Sequence, residues 1–378
     1  MPKNIIICCD GTGNEVEGDL SNVLKLYRMV DQDDRQRVFY DPGIGTIGRS
    51  NPWRRLRQKV VGVWGMVTGA GLDERILQAY TFLVDAYEEG DQVYLFGYSR
   101  GAYTVRALAG FIHLTGLIRP DQLNMAGYAL RAYKSVGDTG GFDFARNFRR
   151  IIRGRVVPIH FIGAWDTVSS VMTPRWDRFP PASLQTLPFT RTNPSVRIMR
   201  HAMAIDERRR MFRLNRWVEP QEFNPNPFDA DDPTPQDISQ MWFAGVHGDV
   251  GAGYAEETNA LSKFPLQWIV EEAVLAGLRI NRAMFDHLVL GKAHPGGRHH
   301  YVAPDPVADA HASLTLGWWP LEWLPKRAKF KETRRRSFLG LYLPRGEWRE
   351  IEPGSSIHPS VDQRRSLRAD YRPPNLPG

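Results

Sequence analysis

The residues best suited to chemistry in this chain are a serine, an aspartate and a histidine, in that order. Ser99 stands in Gly97-Tyr98-Ser99-Arg100-Gly101, a Gly-x-Ser-x-Gly pattern. The apolar run Val93-Tyr94-Leu95-Phe96 precedes it, and a small-residue helical pattern follows at once. That order suits a nucleophile elbow: a buried strand delivers the serine, a tight turn strains its backbone, and a helix N-terminus faces the reacting centre. Gly97 and Gly101 lack a Cβ, so strand and helix can pack closely around the turn. The backbone N–H of Arg100 is then placed to stabilise an oxyanion. The pattern alone is weak, because chance matches are common in a chain with 34 glycines.

A serine hydroxyl is a poor nucleophile unless a base takes its proton and an acid orients that base. In α/β hydrolases the chain order is Ser, then Asp or Glu, then His. Asp166 follows an apolar run, and His247 follows the last clear one, so the order is met with each residue at a predicted strand end. That conjunction is more specific than any one residue. The bland alternatives are a helix N-cap for Asp166 and a carbonyl-bonded loop histidine for His247. Asp206 is the reserve acid, and Asp249 a weaker one. A second oxyanion N–H is expected from the loop after the first strand, at Gly11 and Thr12. Asp10 is expected to tie that loop together, or to form a simple Asx-turn.

The elements that must position these groups are legible in outline. Ile5-Ile6-Ile7-Cys8-Cys9 reads as a strand buried on both faces. Ser21 caps a helix running to Val30, and Arg37 to Tyr40 is a second strand. Asp73 to Tyr87 is an amphipathic helix with Ile76, Leu77, Tyr80, Leu83, Val84 and Tyr87 on one side. A helix follows Ser99 to about His113, and residues 120–150 are helical. Val156 to Gly163 and Met241 to Val246 read as strands, and Leu261 to Leu278 as a helix. The alternation predicts an α/β, α/β-hydrolase-like fold: a mostly parallel sheet, helices on both faces, and lid insertions. Reactive groups in such folds lie beyond the carboxyl ends of the strands. The expected organisation is a catalytic domain over 1–290, with insertions at about 44–72 and 173–237. Residues 291–378 form a C-terminal extension packing on or capping it.

Composition is ordinary for a globular chain of 378 residues, at 42% hydrophobic and 24% charged. The formal charge of +7 suits an anionic partner: a phospholipid surface, a nucleic acid or an acidic substrate. Cys8 and Cys9 are adjacent on a strand and point to opposite faces, so they do not pair. The N-terminus lacks a secretory pattern, and no apolar run nears the roughly 18 residues of a spanning helix. The chain is expected to be cytoplasmic as synthesised, with any export signal-independent.

Several segments together carry a family resemblance. They are Cys9-Asp10-Gly11-Thr12-Gly13-Asn14, the stretch from Gly71-Leu72-Asp73-Glu74-Arg75 through Phe96-Gly97-Tyr98-Ser99-Arg100-Gly101-Ala102-Tyr103, Gly163-Ala164-Trp165-Asp166-Thr167-Val168, Ala204-Ile205-Asp206-Glu207-Arg208-Arg209, and Val246-His247-Gly248-Asp249-Val250-Gly251-Ala252-Gly253-Tyr254. In order, over about residues 4–280, they resemble the α/β-hydrolase family known as domain of unknown function 2235. Its studied relatives include type VI secretion lipase effectors that cleave acyl chains from membrane phospholipids. The resemblance implies a Ser–Asp–His hydrolase and carries those roles onto Ser99, Asp166 and His247. It also implies an immunity or secretion-system partner.

The expected activity is carboxylic-ester cleavage through an acyl-enzyme, with no metal or organic cofactor. A phospholipase or lipase acting on lipid acyl esters is the leading reading, and a soluble carboxylesterase the runner-up. Contact with an anionic membrane is expected from Val60 to Leu72, from Trp318 to Leu324, and from the cluster Arg146, Arg149, Arg150, Arg153 and Arg155. The plainer alternative is lid or core packing and a solvated basic face. Asp10-Gly11-Thr12 fails as a haloacid-dehalogenase signature, because Cys8 occupies the nucleophile position. A non-catalytic binding module for an anionic partner is the reading from another class. No nucleic acid is expected, since no helix-turn-helix or zinc-ligand spacing occurs.

Overall fold

The computed structural model describes residues 2–11, 20–43, 71–139, 141–168, 172–174, 182–184, 187–226, 233–294, 299–327 and 337–376. The expectations placed on Thr12, on the insertion at 44–70 and on most of the stretch 173–186 lie outside these residues.

The central sheet is built from β1 (Asn4–Cys9), β2 (Gln36–Asp41), β3 (Gln92–Tyr98), β4 (Ile159–Trp165), β5 (Val196–Ala204), β6 (Asp237–Phe243) and β7 (Ser356–Ile357). Their spatial order is β2-β1-β3-β4-β5-β6-β7, and every pairing is parallel. The helices are α1 (Asn22–Met29), α2 (Leu72–Ala86), α3 (Arg100–Thr115), α4 (Ala126–Thr139), α5 (Asp143–Ile152), α6 (His247–Gly251), α7 (Lys263–Leu275), α8 (Arg282–Leu288), α9 (Trp319–Glu322) and α10 (Pro359–Leu367).

Strand periodicity explains the layering. Successive side chains of a strand point to opposite faces. Ile5, Ile7 and Cys9 of β1 therefore pack with Ile76 and Tyr80 of α2 and Val105 and Leu108 of α3. Ile6 and Cys8 pack instead with Val23 and Leu26 of α1 and Leu266 and Ile269 of α7. Both faces are covered, which is why β1 has no polar alternation. Cys8 and Cys9 are buried and unpaired, and burial raises both thiol pKa values. Ser21 caps α1 by accepting from Leu24 N–H at 3.0 Å.

The strand order has one reversal. The chain leaves β1 for β2 on one side, then crosses back to β3 on the other. Carboxyl ends of adjacent strands diverge at such a switch point and leave a crevice. Here the crevice lies between the ends of β1 and β3, where Asp10, Gly11 and Ser99 sit.

Two parts of the sheet depart from the sequence reading. β5 is a full strand through Arg197, Arg200 and His201, whose polarity hides it. The Arg200 guanidinium is held by Asp237 at 2.8 Å and by Glu272 at 2.6 Å. His201 is fully buried, and burial depresses its pKa. Beyond residue 290, where pattern fades, β7 joins the sheet beside β6. Ile351 and Val361 then close a small core with Met203, Ile205 and Trp242. The C-terminal segment is thus built into the sheet edge. No described helix is long and apolar enough to cross a membrane.

Candidate active site

β3 delivers Ser99 into a strained turn. Its φ is 57° and ψ −120°, a region that costs a non-glycine residue about 1–3 kcal/mol. The neighbouring glycines make the turn possible. A Cβ on Gly101 would lie 2.0 Å from the Cys9 carbonyl oxygen, and one on Gly97 would lie 2.6 Å from Ala102 Cα. Ser99 N–H donates to the Trp165 carbonyl at 2.9 Å, tying the elbow to the end of β4. The next residue along from that carbonyl is Asp166, whose φ is 39°. Both turns are strained, and both present a side chain at the same edge of the sheet.

His247 opens α6, just past β6. Its Nε2 lies 2.9 Å from Ser99 Oγ, and its Nδ1 lies 2.5 Å from Asp166 Oδ2. With the proton on Nδ1, the imidazole donates to Asp166 and accepts from the serine hydroxyl. Tyr98 lies tilted against the ring at 4.8 Å, Phe212 meets it edge-on at 4.8 Å, and His247 N–H donates to Glu207 Oε2 at 3.2 Å. Burial lowers the His247 pKa against the opposing pull of Asp166, which favours the neutral imidazole. Burial alone would raise the Asp166 pKa, but Arg349 and His247 outweigh it and hold the carboxylate below its ordinary range. Ser99, His247 and Asp166 thus form one hydrogen-bonded line of side chains.

Residues 3–272 match the catalytic domain of the Tle1-like phospholipase effectors of the type VI secretion system. The chain belongs to this family. It is also similar to the uncharacterized protein YEL023C of Saccharomyces cerevisiae, with 34% identity over 229 residues, 56% of this chain and 32% of the yeast protein. Among solved structures, a Pseudomonas aeruginosa protein is similar at 18% identity and a TM-score of 0.39, covering 74% of this chain and 46% of that one. A Tle1 effector bound to the VgrG spike of a type VI secretion system is similar at 19% and 0.33, covering 69% and 52%. The chain therefore spans about a third of the yeast relative and about half of each solved chain.

The remaining expected residues of this family member fall into two groups. Near the elbow, Asp10 does more than an Asx-turn. Its Oδ2 accepts from Tyr40 Oη at 2.9 Å and from the Ser21 hydroxyl, and its Oδ1 accepts from Gly11 N–H at 2.7 Å. Gly11 lies against the elbow, since a Cβ there would be 3.5 Å from Ser99 Cβ. Its N–H, expected to face an oxyanion, points instead to the nearest carboxylate, that of Asp10. Arg100 opens α3 directly after Ser99, as expected.

The two reserve acids do not serve the histidine. Asp206 Oδ2 accepts from Gly245 N–H at 2.7 Å and Tyr371 Oη at 3.0 Å, and burial raises its pKa to about 6. Asp249 accepts from Val246 N–H at 2.9 Å and faces His311 Nδ1 at 2.6 Å. Both accept backbone N–H groups of the turn that leads into His247. Among the described residues no group of three His, Cys, Asp or Glu side chains converges to hold a metal ion.

The sequence reading missed the C-terminal side of the site. Arg349 grips Asp166 from 183 positions away in the chain, with no motif to announce it. Ser313 Oγ donates to Glu207 Oε1 at 3.1 Å, and Trp318 meets Phe212 edge-on at 5.9 Å. In the basic cluster, Arg149 donates to the His113 carbonyl and Arg155 to those of Tyr87 and Ile118. Those two arginines have structural roles.

Proposed function

We propose that this chain is a serine hydrolase that cleaves phospholipid acyl esters through an acyl-enzyme. The observation that carries the reading is the in-line array of Ser99, His247 and Asp166 at the switch-point crevice, in a member of a phospholipase effector family. Ser99 Oγ attacks the ester carbonyl carbon while His247 Nε2 takes its proton. The negative charge moves to the carbonyl oxygen, and the Arg100 N–H at the head of α3 stabilises it. The Gly11 loop supplies the second donor once the Asp10–Gly11 bond gives way to the oxyanion. Asp166 holds the imidazolium. The tetrahedral intermediate collapses, the C–O bond breaks, and the alcohol leaves with the proton from His247. Water then repeats the sequence, releasing the fatty acid and restoring the serine.

A lipid substrate is favoured by what the C-terminal segment exposes. Trp323 and Leu324 are each 53% exposed, Phe338 79% and Leu339 86%. Arg345 lies over the Trp323 ring at 4.5 Å. Tryptophan beside arginine suits the headgroup layer of an anionic bilayer. Family membership extends the proposal to delivery by a type VI secretion system, with a secretion-system protein and an immunity protein as partners. That extension is checked by co-purification with the system's spike proteins.

The test of the activity is product analysis on anionic phospholipid vesicles beside a soluble p-nitrophenyl ester. Free fatty acid and lysophospholipid from vesicles are expected. Turnover of the soluble ester alone favours the carboxylesterase reading, and turnover of neither leaves the binding module.

A further inference from the structure

Asp166 is fully buried and has four hydrogen-bond donors around it. His247 Nδ1 and Ala204 N–H supply two of them, the latter at 2.9 Å to Oδ1. Arg349 supplies the others, with Nη1 to Oδ1 at 2.6 Å and Nη2 to Oδ2 at 3.0 Å. The same two nitrogens also donate to the Ala204 carbonyl at 3.0 Å and the Phe212 carbonyl at 2.7 Å. The guanidinium is 2% exposed in its side chain. A fork of this kind fixes both position and tilt of a carboxylate, which a lysine cannot do. Arg349 lies beyond residue 272, where the family match ends. Its backbone is pinned in turn, because Asn375 Nδ2 donates to the Arg349 and Ile205 carbonyls at 3.0 Å each.

We propose that Arg349 is a positioning residue of the active site: it holds Asp166 as an oriented anion and, by cancelling its charge, sets how far into acid His247 still works as a base. The proposal rests on the reading of Ser99, His247 and Asp166 as the catalytic array. The charged and titratable groups facing His247 are Asp166 after β4, Glu207 and Arg209 after β5, and Tyr98 and Ser99 at the end of β3. Glu207 and Arg209 pair with each other at 2.8 Å, so they add little net charge. Asp166 is the remaining anion, and Arg349 compensates it. With the arginine present, protonating His247 leaves a net positive site in a dry environment, which is costly. With the arginine gone, the same proton completes a neutral ion pair, so His247 holds it to higher pH. If Asp166 instead takes up a proton to escape burial as a lone anion, the base loses its holder at low pH. Both routes move the acid limb of activity upward.

The experiment is the pH profile of kcat/KM and kcat on a soluble p-nitrophenyl ester, using full-length wild type, Arg349→Gln, Arg349→Lys and Ser99→Ala, each checked for folding by thermal melting. Arg349→Gln is expected to lower kcat about 10²-fold at pH 7, leave KM within about threefold, and raise the acid limb by about one pH unit. Arg349→Lys restores the limb to within a few tenths, since it restores the charge, but recovers only part of kcat because the fork is lost. A folded Arg349→Gln enzyme with the wild-type limb overturns the proposal, whatever its kcat. Should Arg349→Gln not fold, wild-type kcat in Arg349→Lys overturns it. Full activity in Ser99→Ala sinks the catalytic reading itself. Loss in Ser99→Ala with an unmoved limb in Arg349→Gln sinks only the role of Arg349.

Discussion

Asp166, buried, and Asp206, half-buried, both lie at the carboxyl edge of the sheet after adjacent strands, and their surroundings drive them in opposite directions. Asp166 faces a guanidinium and an imidazole and stays ionised. Its depressed pKa contributes stability above about pH 4, which is lost as the pH falls. Asp206 faces an amide and a phenol, and burial lifts it to about 6. Its sign is reversed: the folded state is favoured below pH 4 and penalised as the pH rises through 6, by about 3 kcal/mol at most. Asp206→Asn is therefore expected to keep ester activity and to gain stability relative to wild type between pH 4 and pH 8, read from urea midpoints. Asp166→Asn is expected to lose about 10³–10⁴ in kcat, because the wrong imidazole tautomer is favoured. Equal losses in the two variants would contradict the assignment of Asp166. The choice between these acids was legible as a ranking, because chain order and strand ends favour Asp166. Arg349 was not legible, because a lone arginine far down the chain becomes informative only once the fold brings it to the carboxylate.

At the scale of elements, the strand–elbow–helix unit was readable because close packing leaves glycines in the sequence. Gly101→Ala places a methyl 2.0 Å from a backbone oxygen that cannot swing aside. A loss of about 3 kcal/mol or more and of activity is expected. Gly127→Ala on the exposed side of α4 meets nothing within 4 Å and is expected to be neutral or to stabilise by up to about 1 kcal/mol. Denaturant unfolding of the pair distinguishes a steric requirement from general glycine intolerance. β1 and β3 were legible from continuous apolar runs. β5 was hidden because its arginine and histidine are neutralised or satisfied by residues distant in sequence, Glu272 and Gln240. Period and polarity see only neighbours in the chain.

At the scale of the molecule, the C-terminal segment does three things that its composition did not announce. It adds β7 to the sheet, it carries Arg349 to Asp166, and it turns apolar side chains to solvent. Replacing Trp323 and Leu324 by serine is expected to weaken vesicle binding about tenfold while leaving soluble-ester kcat/KM unchanged. Equal vesicle binding by the variant would remove that surface from membrane contact. The claim on which the rest depends is that Ser99 forms a covalent acyl-enzyme. The most direct measurement is intact-protein mass after brief exposure to a fluorophosphonate, with the adduct mapped by peptide sequencing, in wild type and Ser99→Ala. The expected result is one adduct per chain on Ser99, matched by loss of hydrolysis, and none in the variant. A folded Ser99→Ala protein that still labels and still hydrolyses ester would contradict it.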